Sequence, residues 1–155
     1  MRNDLPLDLS RRQILGAGLS TVLIASTPLT ASATPADMLE AQKALFGDRP
    51  IQDGRVFLKL PPISENGFSV PLSVSVDSPM TDSDYVKQIA VFSPRNPLAD
   101  IMQVKLGPQA GRADFSTRIR LSGTQAVTAV AEMSDGSLWA GAKETVVTLA
   151  ACVVL

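Results

Sequence analysis

The sequence predicts an all-β protein, an immunoglobulin-like β-sandwich of about seven strands with one short helix at the N-terminal side. Three observations carry this. Apolar and polar residues alternate in several short runs, and turn chemistry separates those runs. The 122 residues that follow a leader-like stretch suit one domain with its own core.

The helix comes first. Thr34-Pro35-Ala36-Asp37 offers a capping residue, a proline at the first helical position and an acid at the third. Met38, Leu39, Ala41, Leu45 and Phe46 then follow at helical spacing, and Gly47 ends the pattern, so a helix is expected near residues 36–46.

Beyond Gly47 the period changes to two. Val70, Leu72, Val74 and Val76 alternate with Ser69, Pro71, Ser73 and Ser75, giving a strand with one apolar face, and Pro71 argues that this strand lies at an edge. Phe115, Thr117, Ile119 and Leu121 alternate with Asp114, Ser116, Arg118 and Arg120 in the same way. A third such set is Val127, Ala129, Ala131 and Met133. Less regular strands fit residues 55–60, 87–93, 100–106 and 138–149.

The separators are Glu65-Asn66-Gly67, Ser93-Pro94-Arg95-Asn96-Pro97, Gly107-Pro108-Gln109-Ala110-Gly111, Ser122-Gly123 and Ser134-Asp135-Gly136-Ser137. Asp135-Gly136 predicts a hairpin with a two-residue turn, because both residue types tolerate positive φ. Thr81-Asp82-Ser83-Asp84 repeats the capping spacing and is expected to open a single turn before Tyr85. Asp77, Asp82 and Asp84 lack the glycine and distal glutamate of a calcium loop. Arg118 and Arg120 share a strand face with Asp114 and Ser116, the pattern of a solvated face with the option of receiving an oxyanion.

The first residues read as an address. Ser10-Arg11-Arg12-Gln13 is a twin-arginine pattern, an uncharged apolar run from Ile14 to Ile24 follows, and Ala31-Ser32-Ala33 resembles a cleavage site. The apolar run is too short for a membrane span, which takes roughly 20 residues. The expected organisation is a signal peptide over residues 1–33, a sandwich domain over 34–149 and a tail over 150–155, with a periplasmic destination. Twin-arginine export moves folded proteins, which points to a partner subunit acquired before export.

Composition narrows the function. Removing residues 1–33 takes Arg2, Arg11 and Arg12 from the basic residues and Asp4 and Asp8 from the acidic ones, leaving eleven against thirteen, a net charge of −2. Near-neutral charge without a basic cluster gives no footprint for nucleic acid or an anionic membrane. With no histidine, one cysteine and scattered carboxylates, no zinc- or copper-type site is expected, nor any other cofactor.

That one cysteine, Cys152, sits in the tail Ala150-Ala151-Cys152-Val153-Val154-Leu155. A single thiol in an oxidising compartment is left for an intermolecular bond or for chemistry. A buried, inert thiol is the other reading, but termini are rarely buried. No histidine is present to serve as its base, and the Leu155 carboxylate disfavours thiolate. Cys152 therefore reads as a handle that other active sites must activate, and the chain as a non-enzyme.

A family resemblance supplies the rest. The twin arginines, Glu65-Asn66-Gly67-Phe68-Ser69-Val70-Pro71, Val74-Ser75-Val76-Asp77-Ser78-Pro79-Met80, Tyr85-Val86-Lys87, Ser116-Thr117-Arg118-Ile119-Arg120, Ala131-Glu132-Met133-Ser134-Asp135-Gly136-Ser137 and Val147-Thr148-Leu149 before a terminal cysteine together resemble the SoxY family. That family is the sulfur-carrier subunit of the periplasmic thiosulfate-oxidising system. The resemblance implies a sandwich that pairs with a SoxZ-like subunit and holds sulfur intermediates covalently on Cys152. It also implies transient partners: a cytochrome that attaches thiosulfate, a hydrolase that releases sulfate and a sulfane dehydrogenase. The family tail flanks its cysteine with two glycines on each side, whereas this chain has Ala150 and Ala151 before it, Val153 and Val154 after it, and Leu155 as an extra residue. Paired valines are stiff and apolar, so the alternative expectation is a non-catalytic binding or assembly module whose tail docks into a partner.

Overall fold

The computed structural model describes residues 32–151. Its elements are α1 (Pro35–Phe46), β1 (Ile51–Asp53), β2 (Val56–Lys59), β3 (Ile63–Ser64), β4 (Val70–Val76), β5 (Val86–Phe92), β6 (Asp100–Lys105), a 3-10 turn (Pro108–Ala110), β7 (Asp114–Ile119), β8 (Gln125–Met133) and β9 (Leu138–Val147). The larger sheet runs β1-β9-β8-β5-β6, with β3 also on β9, and the smaller runs β2-β4-β7. All seven expected strands are present, and the fold is the predicted all-β sandwich.

The core lies between the sheets. Val70, Leu72, Val74 and Val76 of β4, with Val56 and Ile119, face Ile89 and Val91 of β5 and Val127, Ala129, Ala131 and Met133 of β8. The three alternating sets of the sequence thus each turn their apolar members inward. Full burial of one such side chain is worth about 1.5–3 kcal/mol.

Helix α1 covers the other face of the larger sheet. Its cap is as the sequence predicts: the Thr34 hydroxyl accepts from the Asp37 amide at 3.2 Å, and the Asp37 carboxylate accepts from the Thr34 amide at 2.6 Å. Met38, Ala41, Leu45 and Phe46 pack on Ala90, Phe92, Val130 and Leu138. Phe46 meets Phe92 edge to face at 6.4 Å. Leu39 belongs to the expected apolar set but is 60% exposed, while Gln42 is buried.

Two further strands are added and two local readings change. β1 and β3 pair in parallel with opposite ends of β9, through Ile51–Leu138 and Ile63–Val146. Such short parallel pairings depend on a distant strand and leave no local period. β4, expected at an edge because of Pro71, is instead central. β2 reaches only to Ser73, so at Pro71 only β7 flanks the strand and no ladder bond is asked of the proline on the open side. The Asp135-Gly136 hairpin has a three-residue loop: Gly136 alone has positive φ (86°), its amide donates to Met133 O, and the Met133 amide donates to Ser137 O. That pattern fits a type I turn followed by a left-handed glycine. At Thr81 the expected turn forms by hydrogen bonds to Asp84 without helix.

Candidate functional site

Cys152, Val153, Val154 and Leu155 lie outside the described residues, as do Arg11 and Arg12. The site is therefore built from the chain that leads to the cysteine.

The β8–β9 ladder ends where Gln125 pairs with Thr145. From there residues 61–67 run beside the outgoing chain as a strap. The Thr145 hydroxyl donates to Pro61 O at 2.7 Å, and the Val146 amide to Pro62 O at 3.0 Å. Next, the Thr148 amide donates to Ser64 O at 3.1 Å and its hydroxyl to Glu65 O at 3.0 Å. On the other side the Val147 amide donates to the Thr124 hydroxyl at 3.0 Å.

The strap ends in a three-cornered backbone junction. The Gly67 amide donates to Leu149 O at 2.8 Å, the Leu121 amide to Gly67 O at 2.9 Å, and the Ala151 amide to Leu121 O at 3.0 Å. Gly67 is buried, and Leu121 is fully buried in the sandwich core. Ala150 and Ala151 are half-buried. The chain is thus held by main-chain bonds up to the residue before Cys152.

Two devices stiffen this junction. Within the strap, the Ser64 hydroxyl donates to Asn66 O, and the Asn66 side-chain oxygen accepts from the Phe68 amide at 2.8 Å, which shapes the turn around Gly67. Beneath Leu121, buried Asn96 donates to Arg120 O at 2.9 Å and accepts from the Ser122 amide at 3.0 Å, gripping Leu121 on both sides. Asn96 is held in turn by Ser93 and Gln125.

Near the junction, exposed apolar side chains stand beside the polar Glu65, Asn66 and Thr148. Ile63, Phe68, Val146 and Leu149 are among the exposed large hydrophobics, Ile63 at 61% and Leu149 at 59%. Exposed apolar clusters of this kind mark contact surfaces. Arg118 and Arg120 line an open groove of about 540 Å³ with Leu98, Ile101 and Met102, and Arg118 already donates to the Ser69 hydroxyl and carbonyl. Among the described residues no group of three acidic, histidine or cysteine side chains is placed to hold a metal ion, and no helix is long and apolar enough to cross a membrane.

The sequence pointed to the cysteine and its flanks. It missed the strap, Asn96 and the junction at Leu121. A glycine within Glu65-Asn66-Gly67 was a signal, legible as a turn but not as a close approach of three backbones.

Fold and site together define a sandwich domain whose outgoing chain is anchored at one corner as far as Ala151. The chain belongs to the family Sulfur oxidation protein SoxY, which it matches over residues 42–152. Among solved structures it is similar to the sulfur carrier protein SoxY from Chlorobium limicola f thiosulfatophilum, at 28% identity and a TM-score of 0.63, covering 74% of this chain and 98% of that one. It also resembles the superoxide reductase (neelaredoxin) of Ignicoccus hospitalis, at 19% identity and a TM-score of 0.54, over 61% of this chain and 80% of that one. The superoxide reductase of Nanoarchaeum equitans matches at 12% identity and a TM-score of 0.51, over 61% and 99%. The last two are likenesses of fold. No curated protein matches the chain in sequence.

Proposed function

We propose that this protein carries sulfur intermediates of thiosulfate oxidation as covalent adducts on Cys152 and presents them to partner enzymes, itself acting as their substrate. The observation that carries the reading is the family match, which extends through residue 152, onto a cysteine whose preceding residue is anchored to the sandwich. The structural likeness to a sulfur carrier protein supports the same role.

The chemistry balances without a base on this chain. An oxidising cytochrome takes two electrons and a proton is lost as the thiol of Cys152 joins the outer sulfur of thiosulfate, forming an S–S bond. A hydrolase then adds water across the S–SO₃ bond, releasing sulfate and leaving a persulfide on Cys152. A sulfane dehydrogenase then removes six electrons from the outer sulfur while three waters supply its oxygens, and hydrolysis of the resulting S-sulfonate releases a second sulfate and returns the Cys152 thiol. In each step the partner supplies activation, since a cysteine reacts as the thiolate and an ordinary free thiol is mostly protonated near neutrality.

The twin arginines Arg11 and Arg12 fit export to the periplasm, and a SoxZ-like subunit is the expected companion of the folded domain. The apolar rim of Ile63, Phe68, Val146 and Leu149 favours a second reading, a binding or assembly module that docks through this corner and its Val153-Val154-Leu155 end.

Intact mass of the protein from thiosulfate-grown cells, before and after reductant, tests the carrier reading. A reducible adduct on Cys152, and loss of pathway turnover in Cys152→Ser, are expected. An unmodified thiol together with full turnover in the serine variant would overturn it.

A further inference from the structure

We propose that Gly67 is a positioning residue that anchors the chain at Ala151, one residue before Cys152, and hence limits the reach of its thiol. The inference rests on the carrier reading for its purpose, but its geometry stands apart from it.

Gly67 sits where three backbones converge. A Cβ built on it would lie 2.4 Å from Leu121 O, 2.9 Å from Leu149 O and 3.0 Å from Ala151 N. All three are main-chain atoms, so no side-chain rotation relieves the overlap. Its φ is not among the positive values, so the demand for glycine is one of space and not of backbone conformation.

Which neighbour gives way is decided by what holds each. Leu121 is fully buried and its flanking peptides are tied to Asn96. The tail at Leu149 is exposed, and beyond Thr148 it is held at this corner by the Gly67–Leu149 and Leu121–Ala151 bonds. Because the tightest overlap is with the fixed Leu121 O, a side chain at 67 pushes the strap itself off Leu121, and the Gly67–Leu149 bond that holds the tail is lost with it while Asn96 keeps Leu121 in place.

The consequence is one of length. With Ala151 fixed, the Cα of Cys152 stays about 3.8 Å from the Ala151 Cα. Freeing residues 149–151 adds about 10 Å of chain, at 3.3–3.6 Å per residue. Gly67 thus sets whether the segment that carries Cys152 starts from a fixed Ala151 or from about 10 Å further back along the chain.

The test uses the full-length protein and its Gly67→Ala variant. In the wild type the Ala151 amide should exchange with solvent at least 10-fold more slowly than in an unstructured peptide, and a nitroxide on Cys152 should show a restricted spectrum. In folded Gly67→Ala the Ala151 amide should exchange at least 10-fold faster than in the wild type and the nitroxide spectrum should sharpen, while amides of Ile89 and Val91 keep their protection. Thiosulfate loading by an oxidising cytochrome should change in KM with kcat retained. An unprotected Ala151 in the wild type, or unchanged exchange and spectrum in folded Gly67→Ala, overturns the proposal. If Gly67→Ala does not fold, Thr148→Val takes its place: it removes the bond to Glu65 O without adding bulk, and should speed Ala151 exchange severalfold, with an unchanged rate counting against the anchor. Failure of the wild type itself to load thiosulfate would strike the carrier reading and leave the exchange and spectral results to judge Gly67.

Discussion

The amide of Ala151 donates to the carbonyl of Leu121 at 3.0 Å, one residue before Cys152. Because the bond is main chain to main chain, it does not depend on the side chain at 151. What the side chain alters is the freedom of the unbound state. Neither Ala150 nor Ala151 has positive φ, so alanine fits the anchored conformation, and it restricts the released chain more than glycine does. Alanine at these positions therefore favours an anchored root.

The anchor is only as firm as Leu121, which makes Asn96 the first residue to test. Asn96→Ala leaves the part-buried Arg120 carbonyl and Ser122 amide without their partner. A loss of about 1–3 kcal/mol is expected from the lost bonds and the part-buried groups they leave without a partner. Urea unfolding with an unchanged slope should show it, and the Ala151 amide should lose protection in the same variant.

Acid should weaken the fold through two carboxylates. Asp37 is held below the usual carboxylate range by the hydroxyl and amide of Thr34, and Asp135 by the hydroxyl and amide of Ser137. A lowered folded-state value means stability that is present above the unfolded value, about 3.9, and lost as pH falls through the folded one. Thermal melts should therefore be insensitive to these groups from pH 7 to about 5 and drop below about pH 4. In the double variant Asp37→Asn, Asp135→Asn the acid limb should become shallower; an unchanged limb would show that other groups control it.

The α1 cap also bears on processing. Removal of residues 1–33 would leave Thr34 as the terminus and place an ammonium where its amide now donates to Asp37 at 2.6 Å. A charged donor strengthens such a bond. N-terminal sequencing of the exported protein should read Thr-Pro-Ala-Asp, and Asp37→Ala should lower the melting temperature of the mature form more than that of the precursor. Equal shifts would place the cut elsewhere.

How far the sequence carried depended on how many faces each strand buries. β4, β7 and β8 were legible because their inward residues alternate with polar or smaller ones. β5 showed no clean period, since Ile89 and Val91 face the small sheet while Ala90 and Phe92 face α1. β1 and β3 were not legible because their order comes from β9, far along the chain. At the site, Cys152 drew notice through its rarity alone. Its anchor was not legible, because backbone bonds among Gly67, Leu121, Leu149 and Ala151 leave no mark on side-chain pattern beyond a glycine that also suits a turn.

The two readings of function separate on the tail itself. Replacing Ala150, Ala151, Val153 and Val154 by glycine and deleting Leu155 gives the cysteine the flanks of the family pattern. Two Ala→Gly changes at compatible positions should each weaken the anchored state by about 0.4–1 kcal/mol, so the root should exchange severalfold faster. If the protein is a carrier serving partners that reach the corner beside Ile63 and Phe68, the natural tail already loads and discharges sulfur, and the glycine tail broadens the set of enzymes that accept it. If the natural tail is a docking element, only the glycine form cycles, and the natural form binds its partner more tightly through Val153-Val154-Leu155. Turnover of both forms with an oxidising cytochrome and a sulfate-releasing hydrolase, beside their affinity for a co-purified subunit, distinguishes the two. A natural form that neither cycles nor binds more tightly than the glycine form would contradict both.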